Sequence, residues 1–99
     1  MTEFAFAVQT PQGEVFKGPV SFLTANGYTG EVGILNNHAP MIITLKRGVL
    51  KVTQADGQKF FVHESGVLEV KPDHNVLALV DDASLAADEQ DAKKKLNGG

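Results

Sequence analysis

Before residue 81, apolar and polar residues alternate in short stretches, as expected for strands with one buried face. Phe4, Phe6 and Val8 alternate with small or polar neighbours, and the segment from Val49 to Gln54 alternates again. Proline and glycine separate these stretches. The pattern predicts nine strands: Phe4 to Gln9, Glu14 to Lys17, Val20 to Ala25, Glu31 to Leu35, Met41 to Leu45, Val49 to Gln54, Gln58 to Val62, Val67 to Lys71 and Asn75 to Val80.

Turn residues and spacing indicate how these strands combine. Asp56-Gly57 lies between two of them, and an Asp-Gly pair readily forms a tight hairpin. Short strands with no helix between them are typical of antiparallel sandwiches and barrels. We therefore predict a mainly β fold in which two antiparallel sheets pack face to face as a β-sandwich.

The composition changes after Asp82. The segment from Ala83 to Lys95 contains no Gly, Pro, Val or Ile, which favours a helix with Asp82 or Ser84 as its N-cap. The expected division is a β-sandwich domain over residues 1–82 and a short helical tail over residues 83–99. Leu85, Ala92 and Leu96 form a thin apolar stripe, so a helix this short should fray unless it docks.

Composition narrows the classes of function. The 99 residues suffice for one domain. Nine basic and twelve acidic side chains give a net charge of −3, which argues against nucleic-acid binding. With no cysteine, stability must come from an apolar core. Since no apolar run is long enough to cross a bilayer and no basic signal segment opens the chain, we expect no direct membrane insertion.

Side chains able to carry chemistry form no recognisable constellation in the sequence. His38, His63 and His74 lack metal-ligand spacing and are each expected at the surface or at the rim of the fold. The segment from Gly27 to Gly33 matches no phosphate-binding loop, and Asp81-Asp82 is better explained as a capping pair than as a catalytic dyad. We therefore select no catalytic, cofactor-binding or metal-binding residue, and expect the domain to act through its surface.

Four strings carry a family resemblance: Thr10 to Gly18, Gly30 to Pro40, Gly48 to Val52, and Gly66 to Val70. In order and separation they resemble the epsilon subunit of bacterial F-type ATP synthase, called delta in mitochondria, over about residues 4 to 84. The resemblance implies a ten-stranded β-sandwich that catalyses no reaction. It would belong to the rotating central stalk, fasten the gamma subunit to the c-subunit ring, and couple ion translocation to ATP synthesis. Its location would be peripheral, on the cytoplasmic face of the cell membrane.

The resemblance also assigns residues to partners. Glu31 corresponds to a carboxylate that approaches the c ring, and Thr10, His38 and Thr44 correspond to the region that faces gamma. For all four the alternative is an ordinary exposed polar side chain with no partner.

The chain also departs from the family pattern. Typical members continue into a helical hairpin that can inhibit ATP hydrolysis, whereas this chain stops within the first helix, so we expect that brake to be missing. Asp91 stands where some relatives carry the arginine of a nucleotide motif, and we expect no ATP binding. The remaining alternative is a free-standing β-sandwich that binds a ligand or acts as a metal-dependent enzyme through His38, His63 or His74.

Overall fold

The computed structural model describes residues 2–98. Within them the chain forms ten strands and one helix. The strands are β1 Phe4–Thr10, β2 Gly13–Val20, β3 Phe22–Gly27, β4 Gly30–Leu35, β5 Met41–Leu45, β6 Gly48–Gln54, β7 Gly57–His63, β8 Gly66–Val70, β9 Val76–Val80 and β10 Ala83–Ala86; the helix α1 is Glu89–Gly98. All nine predicted strands are present, with ends shifted by a few residues.

The strands form two five-stranded layers. The first layer runs β10-β7-β6-β3-β4 and the second runs β5-β8-β9-β1-β2. A single Cα pair, Gly27 with Leu45, connects the layers through β3 and β5. On the other side, the Gln54 side-chain amide donates to the Pro19 carbonyl at 3.0 Å, which draws β6 towards β2. The predicted β-sandwich is confirmed.

The core lies between the two layers and consists of the inward residues of each strand. Phe16 of β2 reaches across it, with its ring 6.0 Å from that of Phe6 in its own layer and 5.5 Å from that of Phe61 in the other. Around these rings the buried apolar side chains include Val8, Leu23, Ile34, Leu45, Leu50, Val52, Leu68 and Ala78. The residues that alternate with period two in the sequence are therefore those that point into this core.

The prediction of helix from residue 83 is wrong over its first residues. Ala83–Ala86 is the tenth strand and pairs antiparallel with β7. The helix begins only at Glu89, so neither Asp82 nor Ser84 is its N-cap. The physical reason is tertiary: the free edge of β7 offers backbone hydrogen bonds, and these override the weak helix preference of Ala-Ser-Leu-Ala.

One pairing is parallel where an antiparallel sandwich was predicted. β1 and β9 pair in parallel from Phe6 opposite Val76 to Gln9 opposite Leu79, and the other pairings are antiparallel. These two strands are far apart in sequence, so no hairpin turn fixes their relative direction. The second layer is therefore mixed.

The helix docks on the outer surface of the first layer. In the helix, Ala92 is fully buried and Leu96 is half-buried. They pack against Val49, Phe60, Val62 and Ala86 of the sheet. This small second apolar cluster explains why Phe60, Phe61 and Val62 are buried in succession, since one side of β7 faces the core and the other faces α1. Docking supplies the stability that so short a helix lacks alone.

Candidate functional site

The outer surface of the second layer carries an apolar stripe. Strand register places Ile42, Glu69 and Leu77 in one row across β5, β8 and β9, and Thr44, Val67 and Leu79 in the next. Ile42 is 70% exposed and Leu79 43% exposed, while Val67 and Leu77 are half-buried. We call Ile42, Val67, Leu77 and Leu79 the apolar outer face. Exposed apolar residues gathered in this way mark an interaction surface more often than residues scattered singly.

Thr44 is the one predicted gamma-facing residue on this face. Its side chain is exposed, and it lies opposite Val67 of β8. The Thr44 carbonyl accepts the backbone N–H of Tyr28 at 3.3 Å, which holds the tip of the β3–β4 hairpin beside β5. Thr44 therefore lies where the apolar outer face meets that hairpin.

Thr10 and His38 lie elsewhere. Thr10 ends β1 in the turn before β2; its hydroxyl accepts from the Gln12 N–H and donates to the Gly13 carbonyl, both at 3.2 Å. His38 lies in the β4–β5 connection, half-buried, with Nδ1 2.8 Å from the Ala39 carbonyl oxygen. The structure does not gather Thr10, His38 and Thr44 into one cluster.

Glu31 is exposed on β4, one residue beyond the β3–β4 turn. It points to the helix side of the first layer and lines a cleft of about 310 Å³ with Lys51 of β6 and with Glu89 and Lys93 of α1. The predicted c-ring residue is therefore on a different surface from Ile42 and Thr44. Tyr28, 66% exposed at the neighbouring turn, lies between the two surfaces.

The histidines do not occupy equivalent places. His74 is exposed in the β8–β9 turn, with φ of 71°, whereas His63 is 1% exposed. The expectation that His63 lies at the surface or rim is wrong, because alternation along β7 turns its side chain to the same side as Phe61, towards the core, where it lies beside Ala83 of β10. Among residues 2–98, no three side chains of metal-ligating type come close enough to hold an ion together.

The sequence predicts an exposed apolar patch on one sheet face but does not identify its strands or residues, and it does not predict the burial of His63. The run Met41-Ile42-Ile43 in one strand carried a usable indication, since alternating directions must turn one of the three outward. For His63 the indication was the unbroken apolar run before it, which requires cover on both sides of β7.

A family model for the beta-sandwich domain of the ATP synthase delta/epsilon chain matches residues 3–86. The chain belongs to this family. The matched region ends with β10, so it includes all ten strands.

Two relatives carry the name ATP synthase epsilon chain. That of Nitrosococcus oceani is 41% identical over 86 residues, which cover 86% of this chain and 61% of the relative. That of Dichelobacter nodosus is 36% identical over 95 residues, which cover 95% of this chain and 66% of the relative. The chain therefore spans somewhat less than two thirds of the length of these relatives.

Two solved structures share the fold. A chain of the Euglena gracilis mitochondrial ATP synthase, in a structure of OSCP, F1 and c-ring, matches with a TM-score of 0.80 at 20% identity, covering 99% of this chain and 64% of its own length. A chain of the Tetrahymena thermophila mitochondrial ATP synthase, in a structure of the central stalk and c-ring, matches with a TM-score of 0.72 at 21% identity, covering 84% and 66%.

Within residues 2–98, no helix has the length and apolar character needed to span a membrane.

Proposed function

We propose that this chain is a non-catalytic rotor subunit of an F-type ATP synthase. It fastens the gamma subunit to the c-subunit ring, so that ion translocation through the membrane sector is coupled to ATP synthesis. Membership of the delta/epsilon family and the relatives named ATP synthase epsilon chain support this role. The subunit would be peripheral, on the cytoplasmic face of the membrane, and would hold no cofactor.

The observation that carries the proposal is the apolar outer face. Ile42 and Leu79 expose much of their apolar surface to water, although the chain has a well-filled core between its layers. Covering such side chains with a partner removes apolar area from water at roughly 25 cal/mol per Å². We assign this face to gamma, with Thr44 at its margin.

The magnitude of the available contacts favours this assignment. A stable protein interface buries about 1,200–2,000 Å² in total, which a flat outer face of several strands can provide. A single exposed ion pair contributes about 0.2–1 kcal/mol and is weakened by salt. Glu31 would therefore tune the contact with the c ring, while the apolar outer face holds the subunit to its partner.

The other predicted residues take lesser places in the proposal. His38, in the β4–β5 connection, and Thr10, in the β1–β2 turn, would touch gamma beyond the apolar outer face. The sandwich unit would extend to Ala86, since β10 completes the first layer, with α1 as a tail attached to it.

The test is capture of gamma by the tagged chain, with a matched pair of variants. Ile42→Glu places a charge on the apolar outer face, and Leu35→Glu places the same charge at the 61% exposed Leu35 on the outer surface of the first layer. The proposal expects Ile42→Glu to lose gamma and Leu35→Glu to retain it. Equal retention by both variants, each shown to be folded by circular dichroism, would overturn it.

A further inference from the structure

A groove of about 210 Å³ lies on the outer surface of the second layer, over β1 and β9. β1 buries Phe6 on its core side and turns Ala5 and Ala7 outward. Because the side chain of alanine ends at Cβ, the surface is depressed there between Leu77 of β9 and Lys17 of β2. We call this depression the alanine groove.

The two outward alanines of β1 are not explained by the stability of the sheet. β1 is paired on both sides, with β9 and with β2. Such a strand favours β-branched and aromatic side chains, and alanine is depleted in strands. A larger side chain at Ala7 would contact its register partners Leu77 and Lys17. The small residues are instead explained by a side chain that enters the groove from a partner.

The alanine groove continues the apolar outer face in one row across the layer. From β5 to β2 the row consists of Ile42, Glu69, Leu77, Ala7 and Lys17. A stable interface involves about 20–30 residues on each side, more than the four of the apolar outer face. Because β5 is the end strand of the second layer, the sheet surface continues from Ile42 only towards β1 and β2. A partner seated on Ile42 and Leu77 is therefore expected to cover the groove as well.

Two lysines flank the groove. Lys17 lies on β2 opposite Ala7, and Lys71 directly follows the end of β8. In the part of the chain that the structure describes, residues 2–98, neither ammonium group belongs to an ion pair. Glu14 also lines the groove, and Glu69 lies in the adjoining row. Covering unpaired lysines with an apolar surface costs free energy, so a partner that fits must place carboxylates opposite them.

We propose that the contact with gamma extends from the apolar outer face over the alanine groove. A bulky apolar side chain of gamma fills the depression above Ala5 and Ala7, and acidic side chains of gamma beside it pair with Lys17 and Lys71. This inference rests on the proposed function, because it describes how the same partner is held. The apolar contact supplies most of the affinity, while the lysines fix the position of gamma on the face and make binding sensitive to salt.

The first test removes the charges and measures the dissociation constant of the tagged chain for gamma at about 0.05 M and about 0.5 M salt. Lys17→Gln combined with Lys71→Gln keeps the length of both side chains. Two exposed ion pairs together contribute about 2- to 30-fold in affinity, so we expect weakening of that size at low salt and little difference at high salt. Lys51→Gln, at a half-buried lysine on the outer surface of the first layer, is the matched control and should bind as the unmodified chain does.

The second test fills the groove. Ala7→Trp places an indole where the side chain of gamma would enter, and we expect binding to weaken by at least about tenfold at both salt concentrations. Thr53→Trp places the same side chain on the outer surface of the first layer and should leave binding unchanged. Circular dichroism checks that each variant is folded. Ala5→Leu, at the more exposed of the two alanines, replaces Ala7→Trp if that variant does not fold.

The outcomes separate this inference from the proposed function. Unchanged binding by either the double lysine variant or Ala7→Trp, with loss of gamma by Ile42→Glu, would overturn this inference and leave the proposed function standing. Retention of gamma by Ile42→Glu as well would overturn both. Sedimentation of the chain alone provides a further check, because a dimer that Ala7→Trp dissociates would assign the groove to a second copy of the chain and overturn the proposal.

Discussion

The side chains of Asp88 and Asp91 each accept a backbone N–H at the N-terminus of α1. The Asp88 Oδ1 accepts the backbone N–H of Asp91 at 2.7 Å, and the Asp91 Oδ2 accepts the N–H of Ala87 at 2.9 Å. The arrangement resembles a capping box, except that the Asp91 side chain accepts from Ala87, the residue before the N-cap Asp88, and not from Asp88 itself. The Ala87 N–H, followed by Lys95 at 3.3 Å, lowers the pKa of Asp91. Asp91 thus has a local structural role at the start of α1.

We predict that Asp88→Ala weakens α1. The change removes the N-cap acceptor, at a typical cost of about 0.5–2 kcal/mol to the helix. Circular dichroism should show reduced helicity, and amide exchange from Ala92 to Leu96 should accelerate. Asp88→Asn is the matched control because asparagine caps comparably well. Equal helicity in the alanine and asparagine variants would contradict the assigned cap.

We also predict that the chain does not bind Mg-ATP. Asp91 places a carboxylate where a nucleotide site would need a cation, and its Oδ2 already accepts the Ala87 N–H and pairs with Lys95. Isothermal titration of Mg-ATP into the chain should give heats of dilution only. A saturable isotherm, absent when Mg-GTP replaces it, would refute this prediction.

Glu31→Ala should leave the subunit attached to its complex. An exposed carboxylate of this kind contributes about 0.2–1 kcal/mol through ion pairing, too little to hold a subunit by itself. The measurement is the amount of gamma recovered with tagged chain at low and at high salt, alongside ATP-driven proton pumping, which should change only modestly. Complete loss of the subunit from the complex on this change would reverse the proposed ranking of Glu31 and the apolar outer face.

Acid should destabilise the whole domain through His63. Because the folded pKa lies below the ordinary value of 6.5, the unfolded chain binds a proton more readily than the folded chain does. The contribution of the neutral His63 ring to the free energy of unfolding is fully present above pH 6.5. It is lost as the pH falls from there through the folded pKa. Urea unfolding at several pH values should show this slope, and His63→Leu should reduce it. An unchanged slope in that variant would exclude His63 as its source.

Gly66→Ala should disrupt the second layer. A Cβ built on Gly66 would lie 2.7 Å from the Val80 Cα and closer still to the Leu79 carbonyl oxygen, and these backbone atoms cannot move aside as a side chain can. We expect the free energy of unfolding to fall by about 3 kcal/mol or more, the upper end of the usual cost of overpacking. Gly18→Ala is the matched control, since its nearest neighbours lie 3.6 Å away. Thermal unfolding of both variants gives the comparison.

The sequence predicts most of this fold because most of its strands have only one buried side. The Asp56-Gly57 hairpin is confirmed, with the positive φ, 139°, at Gly57. β10 escapes the same reasoning, because Ala83–Ala86 carries a helix-like composition and becomes a strand only through the edge of β7. The parallel pairing of β1 and β9 likewise depends on how the layer closes, which no local pattern encodes.

The candidate site is less readable from the sequence than the fold. Alternation indicates that Ile42 and Ile43 point in opposite directions, but only the assembled second layer shows that Ile42 joins Val67, Leu77 and Leu79 on one surface. For His63, isolated spacing suggested a surface or rim residue, and its burial follows from its position on the core-facing side of β7, with β10 paired along that strand's edge. Both features arise from strands that are neighbours in space and distant along the chain.

Backbone contact between the two layers is confined to a short stretch of β3 and β5, the Gly27–Leu45 pair with the Tyr28–Thr44 and Lys46–Asn26 hydrogen bonds beside it. The rest of the contact between them is side-chain packing in the core, which includes the rings of Phe16 and Phe61. Glu31 belongs to the first layer and Ile42 to the second. A substitution that changes the size of a core side chain would therefore change the angle between the two outer surfaces. This would happen even though every residue on both surfaces stayed the same.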